Sequence, residues 1–217
     1  MPILLNKNIS FPDPGLADAE GLVAIGGDLN VDRLLAAYRK GIFPWTVDPI
    51  TWWSPDPRAI FELEGFHVSQ SLARVIRQGG FEVTIDQSFR AVMEGCAAPA
   101  PGRSGAWITE EFIEAYTRLH RQGHAHSVEC RLKGELVGGI YGVSIGGLFA
   151  GESMFHRVND ASKVALHHLI GHLRRRGFAL FDIQMLTPAT KPLGAIEIPR
   201  HEYLQRLSAA VEMKCSF

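Results

Sequence analysis

Glu152 stands in the run FAGESMF, Phe149 to Phe155, which is otherwise free of charge. A carboxylate on such a strand is costly unless it is paired or reaches water. Asp182 and Gln184 are two apart in the apolar run FALFDIQML, which begins at Phe178. The strand period of two places both on one face, where Asp182 can orient Gln184 by a hydrogen bond. His168 and His172 have the i, i+4 spacing that metals can use, but no carboxylate or cysteine completes a motif, so no metal is expected. Arg174, Arg175 and Arg176 follow an apolar helical pattern. They suit the negative end of a helix dipole, and with Arg74 and Arg77 they can also form a phosphate-contacting patch. Cys96, Cys130 and Cys215 lie far apart with no CxxC pair, which reads as three reduced, mostly packed thiols.

These residues need strands and helices to hold them. SVECRL alternates from Ser127, Lys133-Gly134 is a tight turn, ELVGGIYGV returns, and Gly146-Gly147 allows a second turn into LFAGESMF. The expectation is an antiparallel meander from Ser127 to Phe155. Gly138, Gly139, Gly142 and Gly151 mark bulges or close approaches within it. Asn159 or Asp160 caps a helix reaching about Arg176, with Val164, Leu166, Leu169, Ile170 and Leu173 on its core face. Upstream, SQSLARVIRQ (69–78) reads as a helix capped by Ser69, FEVTID (81–86) as a strand, and 87–96 and 109–122 as helices. Residues 1–60 read as turns around one helix, capped by Asn30 or Asp32, striped by Leu34, Leu35 and Tyr38, and ended by Gly41 and Pro44. That segment is too short to bury a core alone, so it packs on the later part of the chain.

The chain has 217 residues, 46% of them hydrophobic and 21% charged, enough for a sizeable core. A formal net charge of -1 means that any RNA contact comes from a local basic patch. The N-terminal MPILLNKNISFPDP lacks a signal-peptide core, and no run approaches the ~20 apolar residues of a membrane span, so a cytoplasmic protein is expected. Nothing demands a partner subunit, and a monomer is expected. Helices flanking a mixed, largely antiparallel sheet make the fold class α+β.

Several blocks in order then carry a family resemblance: GGDL (26–29), YRKGIFPW (38–45), WWSPDPR (52–58), EGCA (94–97), WIT (107–109), AYTRLHRQGHAHSVE (115–129), ELVGGIYGV (135–143), FAGESMF (149–155), ASKVAL (161–166) and DIQ (182–184). Together they resemble the leucyl/phenylalanyl-tRNA–protein transferases, in unbroken order over about residues 10 to 205. The resemblance implies a small N-terminal domain, residues 1–62, and a catalytic domain, 63–217, similar to the N-acetyltransferase (GNAT-like) fold. It also implies transfer of Leu or Phe, and Met less well, from charged tRNA to proteins beginning with Arg or Lys, marking them for degradation. Aminoacyl-tRNA is then a substrate, and no cofactor is expected.

That reaction is aminolysis of an already activated ester. It needs orientation, a neutral amine and donors for a developing oxyanion, but no covalent enzyme intermediate. By resemblance, Asp182 and Gln184 lie at the reaction centre, with the Gln184 carbonyl accepting from the attacking amine. Glu152 faces the substrates and suits a cationic amine, and Ser153 lies beside it. Trp107 lies near the acceptor peptide. Trp52 and Trp53, with Ser54, border the tRNA's terminal adenosine, since an aromatic face stacks a base for ~1–3 kcal/mol. Met154, Phe149, Phe155, Ile140, Leu169 and Leu173 are candidates for the apolar amino-acid pocket.

The run after Gln184 departs from the family pattern. Thr187 stands where an Asn is usual, Ala189 where a His is usual and Pro192 where a Ser is usual. Thr187 keeps a hydroxyl donor, on a shorter side chain, for the oxyanion. A changed acceptor preference, for N-terminal Asp or Glu, is one alternative. Another is an acyl-CoA-dependent N-acetyltransferase, although HRVNDASK lacks the glycines that expose N–H groups to a pyrophosphate.

Overall fold

The computed structural model describes residues 3–99 and 107–217. Its first part is a four-stranded sheet rather than turns around one helix. β1 (Ile3–Leu5), β2 (Leu22–Gly26), β3 (Phe43–Val47) and β4 (Ile50–Trp53) lie in the order β1-β2-β4-β3, and α1 (Val31–Arg39) joins β2 to β3. Short strands among prolines and glycines carry little alternation, which is why sequence pattern missed them. Asn30 is the cap of α1, its side chain accepting from the Arg33 N–H at 2.8 Å. Pro44 is tolerated because β3 is an edge strand.

The second sheet has seven strands: β5 (Arg58–Phe61), β6 (Glu82–Ile85), β7 (Ala125–Leu132), β8 (Glu135–Ile145), β9 (Leu148–His156), β10 (Leu180–Gln184) and β11 (Ala195–Ile198). Their order is β11-β5-β10-β9-β8-β7-β6. The meander β7-β8-β9 turns at Lys133-Gly134 and at Gly146, all at positive φ. Within this sheet only β9 and β10 pair in parallel, joined by the crossover helix α5 (Ala161–Arg175). The fold is thus α+β with a mixed, largely antiparallel sheet. The division drawn after residue 62 falls beyond β5, which already belongs to this sheet through β10 and β11.

Helices cover both faces. α2 (Gln70–Gln78), capped by Ser69, and α5 lie over one; α3 (Phe89–Ala97), α4 (Glu110–Arg121) and α6 (Arg200–Ala210) lie over the other. The small sheet shares the core of α3 and α4, with Phe11, Leu34, Ile42 and Trp52 packed among Phe112, Tyr116 and Tyr141. It therefore borrows its core, as its length requires. Gly138 lets α5 approach β8: a Cβ there would lie 2.6 Å from that of Ala161. No helix of the described residues is long and apolar enough to cross a membrane.

Candidate active site

The site lies where β9 and β10 part. Their pairing runs Leu180↔Leu148, Phe181↔Phe149, Asp182↔Ala150, and ends there. Beyond it each strand carries one extra residue. Between β8 and β9, Tyr141 faces Ser153 and Gly142 faces Gly151, leaving Glu152 unpaired. Between β5 and β10, Ile60 faces Asp182 and Ala59 faces Gln184, leaving Ile183 unpaired. Such bulges bend a strand and re-aim its side chains. After the first one the alternation of β9 is reversed. Ala150 and Phe155 pack toward α3 and α4, while Phe149 and Met154 pack toward α5.

A cleft of about 590 Å³ opens on the α5 side of this fork. Phe61, Ile140, Met154, Leu166, Phe181 and Ile183 give it apolar walls, and Glu152 is the sole carboxylate lining it among the described residues. Ser153, Thr187 and Ala189 also line it, and His156 and Lys163 bring polar groups. Sequence reasoning foresaw Ile140, Met154, Ser153 and Glu152. It missed Phe61, Phe181, Leu166 and Ile183, which read as ordinary core residues.

Glu152 is half-buried. Tyr116 donates its hydroxyl to Glu152 Oε2 at 3.3 Å, and the Tyr38 and Tyr116 oxygens lie 2.5 Å apart. Both phenols are buried, and α1 and α4 meet through them. Burial pushes the Glu152 carboxyl up to about 8, the nearby Asp182 adds to the rise, and the two tyrosine hydroxyls and Arg58 oppose it. Burial, with Glu152 beside them, holds both phenols well above their usual range. Tyr38 and Tyr116 lie inside two of the quoted sequence blocks; the available signal was that a buried tyrosine needs a hydroxyl partner.

Asp182 behaves differently from expectation. It faces α6, not the cleft, and Arg58 grips it with Nε–H to Oδ1 at 2.8 Å and Nη2–H to Oδ2 at 2.6 Å. Tyr203 donates to the same Oδ2 at 2.9 Å. Arg58 and Asp182 are each 1% exposed. Asp182 does hold Gln184, but through the backbone N–H at 2.9 Å rather than the side-chain amide. The bulge and the positive φ of Gln184, 58°, break the simple alternation that spacing implied.

The Gln184 amide fits its place with either end toward Glu152. In one orientation, Nε2 donates to Glu152 Oε1 at 3.3 Å. Turned over, it donates to the carbonyls of Ile183 and Gly151, both at 3.0 Å, and so bridges the fork. The turned setting satisfies the amide better, and it aims the amide oxygen at Glu152, which must then carry a proton. The raised carboxyl of Glu152 agrees with that setting.

Other expected residues lie elsewhere. Trp52 is wholly buried, donates to the Gly26 carbonyl at 2.8 Å and packs edge-on against Phe11, so its face is closed to a base. Ser54 is also buried, and its hydroxyl has no hydrogen-bond partner among the described residues. Trp53 is partly open and packs edge-on against Trp45. Phe149, Leu169 and Leu173 belong to the core between β-sheet and α5 and do not line the cleft. Phe155 faces the opposite core, against Gly95. Trp107 packs edge-on against Phe112. Thr187 reaches the cleft, but its hydroxyl and that of Thr190 bond each other at 3.0 Å and cap each other's backbone N–H. That closed turn commits the Thr187 hydroxyl, because residues 187–190 fold back on themselves.

Among the five arginines, Arg174 is engaged by Glu64 and the Leu63 carbonyl, and Arg176 by Ser216 and Phe217. Arg74, Arg77 and Arg175 are exposed and have no ion pair among the described residues. Arg74 and Arg77 line a shallow groove with Val68 and Ser71. His172 packs against Phe217, while His168 is exposed.

Comparison with known proteins bears on the same residues. Residues 60–208 match the family model described as leucyl/phenylalanyl-tRNA protein transferase, and residues 27–56 match that of its N-terminal domain. A leucyl/phenylalanyl-tRNA–protein transferase of Solidesulfovibrio magneticus is 55% identical over 93% of this chain and 83% of its own. One from Pseudomonas entomophila is 51% identical over 94% and 92%. Similar solved structures include a GCN5-related N-acetyltransferase-like protein from Streptococcus suis, 17% identical with TM-score 0.37 over 73% of this chain and 59% of that one. Another is the C-terminal domain of a putative lysylphosphatidylglycerol synthetase from Agrobacterium fabrum, 14% identical with TM-score 0.41 over 88% and 62%. Both structural likenesses are faint.

Proposed function

Because the chain belongs to the leucyl/phenylalanyl-tRNA–protein transferase family, and is thus an aminoacyltransferase, we propose that it moves Leu or Phe, and Met less well, from charged tRNA onto proteins beginning with Arg or Lys. The product is marked for degradation. The observation that supports this reading is the forked sheet, with an apolar cleft on one side and a lone carboxylate at its lip. Ile140, Met154, Leu166 and Phe181 suit a long aliphatic or aromatic side chain without polar groups. Each methylene buried there contributes ~0.8 kcal/mol, so shorter side chains bind less well because they bury less apolar surface. The ester carbonyl then lies near Glu152 and Gln184, and the acceptor amine approaches the same fork.

The protein works as a monomer with no cofactor and no metal; two macromolecular substrates held in register supply most of the rate. Trp53, Trp107, Arg74, Arg77 and Arg175 are the exposed or partly exposed groups suited to the tRNA and the acceptor. Thr187 is not assigned to the oxyanion, because its hydroxyl is committed within its turn.

The test mixes the purified protein with labelled leucyl-tRNA and a peptide beginning with Arg, and counts label in the peptide. Parallel arms use a peptide beginning with Asp, and acetyl-CoA in place of tRNA. Transfer to the Arg peptide alone is expected. Transfer to the Asp peptide instead overturns the acceptor assignment, and acetylation without aminoacyl transfer overturns the reading as a whole.

A further inference from the structure

Two carboxylates lie near the reacting centre, and they are not equivalent. Asp182 is closed off on the α6 face by the Arg58 guanidinium and the Tyr203 hydroxyl. Its bond to Gln184 is made with the backbone. A carboxylate so neutralised has no free lone pair directed at the cleft and cannot draw a proton out of it. Glu152 is the extra residue of a bulge, lines the cleft, and meets hydroxyls and an amide instead of a contacting cation.

We propose that Glu152 is the general base and acid of the transfer, taking the proton from the attacking amine and returning it to the departing ribose oxygen. The proposal rests on the transferase reading above. The neutral amine nitrogen forms its bond to the ester carbonyl carbon while one of its protons passes to a Glu152 carboxylate oxygen. The carbonyl π pair moves onto oxygen. When that pair returns, the bond from carbon to the ribose oxygen breaks, and the proton on Glu152 completes the ribose hydroxyl. Amine and ester become amide and alcohol, and Glu152 ends as the carboxylate it was.

Gln184 fits this cycle as a positioning residue. Its amide lies against Glu152 and can meet it with Nε2 when that group is ionised or with the amide oxygen when it is protonated. Tyr116 stabilises the ionised form by its hydrogen bond, with Tyr38 behind it. The groups facing Glu152 are Tyr38 from α1, Tyr116 from α4, Arg58 from β5 and Asp182 from β10. His156 and Lys163 line the same cleft. A carboxyl held near 8 stands close to the ordinary range of an α-amino group, about 7.7–8.0, which favours proton exchange between them.

The experiment measures kcat, and KM for an Arg peptide, at saturating leucyl-tRNA from pH 6 to 10, for the wild type, Glu152→Gln and Tyr116→Phe. Wild-type transfer in this assay keeps the reading of the reaction separate from the role of Glu152. In the wild type, kcat should rise with pH and level off near 8. Glu152→Gln should lower kcat by ~10²-fold or more, with KM for the peptide within a few-fold and only the acid limb of the peptide's own amine remaining. Tyr116→Phe removes a donor to the carboxylate and should move the acid limb to higher pH while keeping the plateau. A Glu152→Gln enzyme that binds the peptide more weakly but keeps its kcat and its pH profile would make Glu152 a holder of the cationic acceptor and overturn the proposal. An acid limb unmoved in Tyr116→Phe would also overturn it.

Discussion

Asp182 on β10 and Glu152 on the neighbouring β9 are two carboxylates held in opposite ways. Toward α6, Asp182 is clamped by a bidentate guanidinium, a phenol and a backbone amide, and Arg58 itself is sandwiched over the rings of Phe43 and Tyr203. Toward the fork, Glu152 has a tyrosine hydroxyl and the Gln184 amide. The first face holds the backbone, since Asp182 also accepts from the Gln184 N–H just past the bulge. The second leaves its charge adjustable. Rigid support and chemical freedom are thus placed on neighbouring strands by giving one acid a cation and the other only neutral donors.

Removing the clamp should have the largest effect. Arg58→Met leaves Asp182 buried without its cation and should cost ~3–5 kcal/mol in urea unfolding, while replacing Asp182 as well, by Leu, should recover much of that stability. A single mutant as stable as the wild type would show that the two faces do not differ as described. A smaller effect should come from the other face through its linkage to pH. The folded Glu152 carboxyl lies above its unfolded value of 4.5, so the native state holds more protons between 4.5 and about 8. Stability should therefore fall as pH rises through that window, by of order a few kcal/mol, and Glu152→Gln should flatten the fall. Unfolding curves at pH 5 and pH 8.5 suffice, and equal slopes in the two proteins would refute it.

The cleft walls come next. Met154→Phe narrows the pocket, and kcat/KM should drop ~10-fold more with a phenylalanyl donor than with a leucyl donor, a ratio read from competition between the two charged tRNAs. An equal drop for both donors would place the amino acid elsewhere. The smallest effect is expected away from the fork. Arg74→Ala and Arg77→Ala should each weaken tRNA binding, and lower the slope of log affinity against log salt by ~0.7–0.9 for each phosphate no longer neutralised. An unchanged slope would remove α2 from the RNA surface.

How much could be seen in the sequence depends on how local each signal is. The caps of α1 and α2, the meander with its glycine turns, and α5 with its apolar face depend on residues within one element, and pattern reached them. Glu152 and Met154 were legible as a polar and a flexible residue in an apolar strand, and Ile140 as an apolar residue of the meander. The bulges were not, because an extra residue exists only relative to a partner strand. Hence the alternation that put Asp182 and Gln184 side by side failed at Ile183. Arg58 was hidden in a proline-rich turn, and its partner Asp182 lies 124 residues away. Trp52 and Trp53 look alike in sequence, yet adjacent strand positions sent one into the core and left the other partly open.

The position of β5 has a consequence for how the molecule comes into being. It is made early, yet its two neighbours in the sheet, β10 and β11, are made more than a hundred residues later, and the phenol of Tyr203 that completes the clamp comes later still. Domains take shape as the chain emerges from its N-terminus, but here an early strand, β5, must wait for the last ones. Until then Arg58 has no anion to meet and the fork has no second prong. A nascent or prematurely ended chain therefore has no assembled centre, and competence to transfer arrives in one late step, when the final strands close over a strand that has been waiting since the start of synthesis.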